Sequence, residues 1–133
     1  MDTAAKILVL GGLGNLVVGL ITGGLMVRIR ITAPEAPKYL TATHVGALIW
    51  TAILLGLVSA VRLSDLTPWV ETFAAALLVT GSLAIDARDL TYWTQRVADE
   101  FAQRPRAFLL GPISAAAVAT GTVILSVGAL RAL

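Results

Sequence analysis

The chain has 133 residues, of which 57% are hydrophobic and only 14% charged, and it contains no cysteine. A soluble domain carries about 25% charged residues to keep its surface wetted, so a mean hydropathy of +0.86 excludes an ordinary water-soluble globule. Disulfide scaffolds, thiolate metal sites and CxxC redox chemistry are excluded with the cysteines. The net charge of +2 comes from basic residues dispersed between apolar runs, with no stripe that would serve nucleic acid.

Four runs are long enough to cross a hydrocarbon core of about 30 Å, and they predict an all-α integral membrane four-helix bundle forming a single membrane domain, 1–133. The first span, 7–27, is free of charge. Its apolar stretch is too long for a signal peptide and Arg28 and Arg30 follow it, so it is expected to be retained. Gly12, Asn15, Gly19 and Thr22 or Gly23 recur at spacings of three and four, which gives this helix one small face suited to close packing. Pro34 and Pro37 make the first loop irregular.

The second span, 39–61, holds His44, the sole histidine, with Ala47 and Thr51 continuing its face. Imidazole serves as an axial haem ligand and as a proton carrier near neutral pH, and at an interface it also serves simply as a hydrogen-bonding group. The third span, 66–85, is interrupted only by Glu71 and opens at Pro68, a residue suited to a first helical turn. Thr72, Ala75, Val79, Ser82 and Asp86 form a stripe along it, and Asp86 is expected at its cytoplasmic boundary, within reach of water, Arg88 or Arg28.

The third loop is longer than a plain connection needs. Leu90, Trp93, Val97 and Phe101 at helical spacing predict either an interfacial amphipathic helix over 89–103 or a simple continuation of the third helix, with Tyr92 and Trp93 at headgroup depth. The fourth span, 107–130, has a small face at Gly111, Ala115, Val118 and Thr122. Three Lys and Arg on the side of the termini and second loop, against seven in the first and third loops, place both termini on the non-cytoplasmic side.

The segments LGNLVVGLITGGLM, YLTATHVGALIWTAILLGLV and VRLSDLTPWVETFAAALLVTGSL resemble the styrene oxide isomerase and hydroxylaminobenzene mutase family of small four-helix membrane enzymes. The resemblance covers about Gly11 to Ser82 and rests on Thr43 and His44, where the family opens its second helix with an Ala-His pair. It implies a homotrimer of the bacterial inner membrane that holds haem b through His44, with ferric iron acting as a Lewis acid to rearrange a small apolar epoxide or an aryl hydroxylamine. The chain departs from the family at Trp50, where an asparagine is usual, and at Gly81, Ser82 and Leu83, where a tyrosine with polar neighbours is usual.

Asn15, Trp50, Ser82 and Asp86 are therefore the candidates for a catalytic role, and His44 for the iron ligand. Two readings of other classes stand beside this one. A small transporter or channel would use Asn15 or Glu71, and a structural membrane subunit would need only the glycine-rich faces.

Overall fold

In the computed structural model, which describes residues 2–133, the chain forms the expected bundle of four long antiparallel helices. The helices are α1 (Thr3–Arg30), α2 (Lys38–Leu63), α3 (Pro68–Thr94) and α5 (Leu110–Arg131), the last entered through a 3₁₀ turn at Arg106–Leu109. A single-turn helix, α4 (Glu100–Gln103), lies in the third loop. At 1.5 Å per residue the 28-residue α1 is about 42 Å long, enough to clear the hydrocarbon core and end among headgroups. All four helices are apolar enough to span, and the chain is an integral membrane protein.

Local signals explain where each helix begins and ends. The Asp2 carboxylate accepts from the Ala5 N–H and caps α1, and Arg28 and Arg30 close its last turn. Pro68 fills the first position of α3, where a missing N–H costs nothing. The third helix continues eight residues past Asp86 to Thr94, so 89–103 is not one interfacial helix. It stops in a Schellman closure: Arg96 N–H donates to Trp93 O at 3.1 Å and Val97 N–H to Tyr92 O at 2.9 Å, with Arg96 itself at φ 55°. Asp99 then caps α4.

Burial runs opposite to that of a soluble protein. Leu10, Leu13, Val17, Leu20 and Ile21 on α1, Phe73 and Leu83 on α3, and Ile113, Val123 and Val127 on α5 face outward. Inside lie Gly11, Gly12, Asn15, Gly19 and Thr22 of α1 and Ser114, Gly121 and Gly128 of α5. Lipid tails are as apolar as leucine, so the helices gain nothing by hiding leucine from them and associate through close approach instead. A Cβ on Gly121 would meet Ala74 O at 2.8 Å, and one on Gly19 would meet Leu48 Cδ2 at the same distance.

The inward face of α5 is thus Ser114, Val118, Gly121, Leu125 and Gly128, with Ala115 and Thr122 of the expected stripe turned outward. Ser114 Oγ ties this face to α3 by donating to Gly81 O at 2.7 Å. At the end opposite the first and third loops, Asp65 N–H reaches Gly128 O and Arg131 pairs with Asp65 at 3.7 Å, which brings the second loop beside the C-terminus.

The interior divides along its length. Ala4, Ala5, Leu8, Leu54, Val58, Val61, Ala74, Ala75, Leu78 and Leu125 fill the half nearest the termini with apolar side chains. The other half holds Asn15, Thr22, Tyr39, Thr43, Ser82, Asp86, Asp89 and Tyr92.

Because the Gly121 site abuts backbone while Gly14 has open space around it, Gly121→Ala should destabilise the bundle by about 1–3 kcal/mol and Gly14→Ala should be neutral or better. Unfolding of the two variants in mixed micelles, followed by helical circular dichroism, measures the difference.

Candidate functional site

His44 lies one turn and a half into α2, facing α1. Its Nδ1 is 2.7 Å from Gly19 O. A carbonyl only accepts, so this contact places the imidazole proton on Nδ1 and leaves the Nε2 lone pair free. Nε2 has no hydrogen-bond partner and is not enclosed. Gly23 makes the seat for the ring, since a Cβ there would stand 2.8 Å from Cε1. The ring borders a groove of about 420 Å³ completed by Met26, Val27, Arg30 and Ile31, open along the side of the bundle. Its walls are apolar apart from the guanidinium at its edge.

A second polar assembly lies inside the bundle. Asn15 Nδ2 donates to Gly11 O at 2.9 Å and across to Ser82 Oγ at 3.1 Å, and Ser82 Oγ donates in turn to Val79 O. Asp86 follows Ser82 by one turn and Asp89 follows by almost two, so all three share a face of α3. Asp86 is 4% exposed, faces the Cβ-less Gly46 of α2, and has no cationic partner. Arg88 pairs with Asp89 at 2.8 Å, in place of the Asp86 pairing expected from the sequence. Asp86 is also not at the end of its helix: it lies five residues, about 7.5 Å, from the midpoint of Pro68–Thr94.

Where this assembly meets the charged end of the bundle, the Tyr39 and Tyr92 rings pack edge to face with centroids 5.0 Å apart. Tyr92 is fully buried within the bundle, whereas the adjacent Trp93 is partly exposed. Tyr39 Oη donates to the Glu100 carboxylate, and Lys38 lies 3.6 Å from the same carboxylate. These contacts tie α4 to the start of α2. The Tyr39 hydrogen bond, with help from a backbone N–H and Lys38, holds the Glu100 carboxyl below its ordinary value of 4.5.

Asn15 and Ser82 are therefore brought together, with Asp86 beside them. His44 is not part of that group. It faces α1, whereas Gly46, two residues on and about 200° around the helix, faces Asp86. Trp50 is half-buried against the apolar cluster, away from the imidazole. Glu71 is buried at the opposite end of α3. The residues that sequence reasoning did not single out are Asp89, Tyr39 and Glu100, and Gly23 was read only as part of a packing face. Only the three-residue spacing of Asp86 and Asp89 offered a signal, whereas the Tyr39–Glu100 contact joins positions 61 apart in sequence.

Among the described residues no group of three or more His, Cys, Asp or Glu side chains is arranged to hold a metal ion. Comparison with protein families, with curated proteins and with solved structures returns no match.

The depressed Glu100 carboxyl stabilises the loop tie above its ordinary titration range, and that stabilisation is lost as pH falls through the lowered value. At neutral pH, Tyr39→Phe and Glu100→Gln should each speed amide hydrogen exchange in 95–109 by about threefold to tenfold, as expected for one partly exposed charge-assisted bond. After correction for intrinsic rates, wild type should approach the variants as the pH falls below 4.5 and through the lowered value.

Proposed function

We propose that this chain is a haem-binding membrane isomerase acting on a small apolar epoxide or aryl hydroxylamine, with His44 as the axial ligand. The observation that carries this reading is the state of the imidazole: its proton is committed to Gly19 O, and its free nitrogen borders an apolar groove. A hydrogen bond from the far ring nitrogen to a carbonyl is the usual outer support of a histidine ligand, fixing its tautomer and raising its donor strength. When bound, haem would supply a Lewis acid able to polarise the oxygen of a strained ring or of a hydroxylamine.

The chain's own residues do the rest. Gly23 leaves the ring room to hold its position. Met26, Val27 and Ile31 give the open groove an apolar wall that an apolar substrate can reach from the lipid. Arg30, at the groove's edge, offers a cation to an acidic substituent of the macrocycle.

Trp50, Ser82 and Asp86 face elsewhere, so orientation of the substrate in this chain falls to the groove walls. A groove open along the bundle's flank is completed by a neighbouring copy, in keeping with the homotrimer that the resemblance implies. The excess of Lys and Arg in the first and third loops supports an inner-membrane orientation with both termini outside.

Protein purified in detergent with haem supplied should show a Soret band that is lost or strongly shifted in His44→Ala and weakened in Gly23→Val, whose added carbons displace the ring. Absence of the band, or a band indifferent to His44→Ala, overturns the proposal. Conversion of an aryl epoxide to its carbonyl isomer by the wild type but not by His44→Ala tests the reaction class.

A further inference from the structure

Three polar atoms in the half of the bundle facing the first and third loops are enclosed without any hydrogen-bond partner: Asn15 Oδ1, Asp86 Oδ2 and Tyr92 Oη. Their side chains are at most 4% exposed. Orphans of this kind cost about 1–3 kcal/mol each, and an ionised carboxylate without a cation at bilayer depth costs more. The bundle retains them in one half only. In the other half Leu8, Leu54, Leu78 and Leu125 form one apolar cluster, and the buried carboxyl of that half, Glu71, lies beyond it in the first turn of α3.

Ser82, Asp86, Asp89 and Tyr92 follow one another up one side of α3 toward a cavity of about 340 Å³, lined by Lys38, Tyr39, Tyr92, Trp93 and Arg96 at the charged end. The Tyr39 and Tyr92 rings, packed edge to face, line that cavity, and Asp89 and Asp86 precede Tyr92 on the same face of α3.

We propose that Asp86 is a proton-binding site enclosed within the bundle, reached from the face of the first and third loops only, through the cavity at Tyr39 and Tyr92. A proton from water adds to Asp86 Oδ2 and leaves by the same route, so no co-reactant is required. The added hydrogen turns an orphan acceptor into a donor, and Asn15 Oδ1, beyond Ser82, is an acceptor a bridging water can supply. The Tyr92 hydroxyl both donates and accepts, which suits a relay position.

The groups around the site are consistent with this role. α1 presents Asn15 and Thr22, α2 presents Gly46 and Thr43 with Tyr39 and Lys38 above them, and α5 buries no ionisable side chain. On α3 itself Asp89 is already matched by Arg88. Asp86 is thus the buried carboxyl in this half, among the described residues, without a cation. The cluster of Leu8, Leu54, Leu78 and Leu125 separates Asp86 from Glu71 and the far side, so the site binds protons and does not conduct them. It stands independently of haem at His44.

The natural absence of cysteine makes the test direct. Single substitutions Ser82→Cys, Asp86→Cys, Leu78→Cys and Leu54→Cys are placed in sealed vesicles and treated from each side with a membrane-impermeant, water-borne thiol reagent. From the loop side, Ser82→Cys and Asp86→Cys should react at least about tenfold faster than the two leucine positions, because thiol modification requires water and a thiolate. From the terminus side none should react.

On the unsubstituted protein, infrared difference spectra across a pH step should show a carboxyl C=O band that is missing in the near-isosteric Asp86→Asn. Equal reactivity at Leu78→Cys, no reaction at Asp86→Cys from either side, or an infrared difference unchanged in Asp86→Asn overturns the proposal.

Discussion

Everything in this bundle depends on how closely its helices approach. In lipid the sequestering of apolar side chains gives no net attraction between helices, so the contacts that hold them must come from van der Waals packing and the few hydrogen bonds that cross. Gly121 against the Ala74 carbonyl, Gly19 against Leu48, and Ser114 on the Gly81 carbonyl are such contacts. They set the spacing of α1 against α2 and of α3 against α5. The same spacing lets Asn15 reach Ser82 and lets Gly23 seat an imidazole. A bundle held by larger residues would have neither the His44 groove nor the inner polar row in their present form.

The architecture was largely legible in the sequence because it follows from two strong signals, uninterrupted apolar length and the position of charge. The four spans appear at their expected places, and Pro68 starts α3 as its rigid φ and missing N–H require. The end of α3 was not legible. Helices commonly close on a glycine in the left-handed region, and here that position is Arg96, which carries no such mark. Eight further helical residues carry α3 past Asp86, whose carboxyl is enclosed by the bundle where the apolar run 66–85 ends.

The site was legible in part, and for a similar reason. Small and polar residues at three- and four-residue spacing identified the inner face of α1 and most of that of α3, including Asn15 and Ser82. The fourth helix offers small residues on nearly every side, as Ala115, Ala116, Ala117, Ala119 and Gly121 illustrate, and its inward stripe falls one position away from the expected one. Pairings between distant segments leave no periodic trace. Tyr39 with Glu100, and His44 with the Gly19 carbonyl, depend on the approach of separate helices.

The inverted burial has a consequence for how such a chain drifts. Its outward leucines, isoleucines and valines contact fluid hydrocarbon, where one is nearly as good as another. The inward glycines, serines and asparagine each answer to a particular neighbour. Neutral exchange can therefore rewrite most of the surface while a sparse inner lattice of small residues stays put, and kinship among chains of this kind would be sought in that lattice.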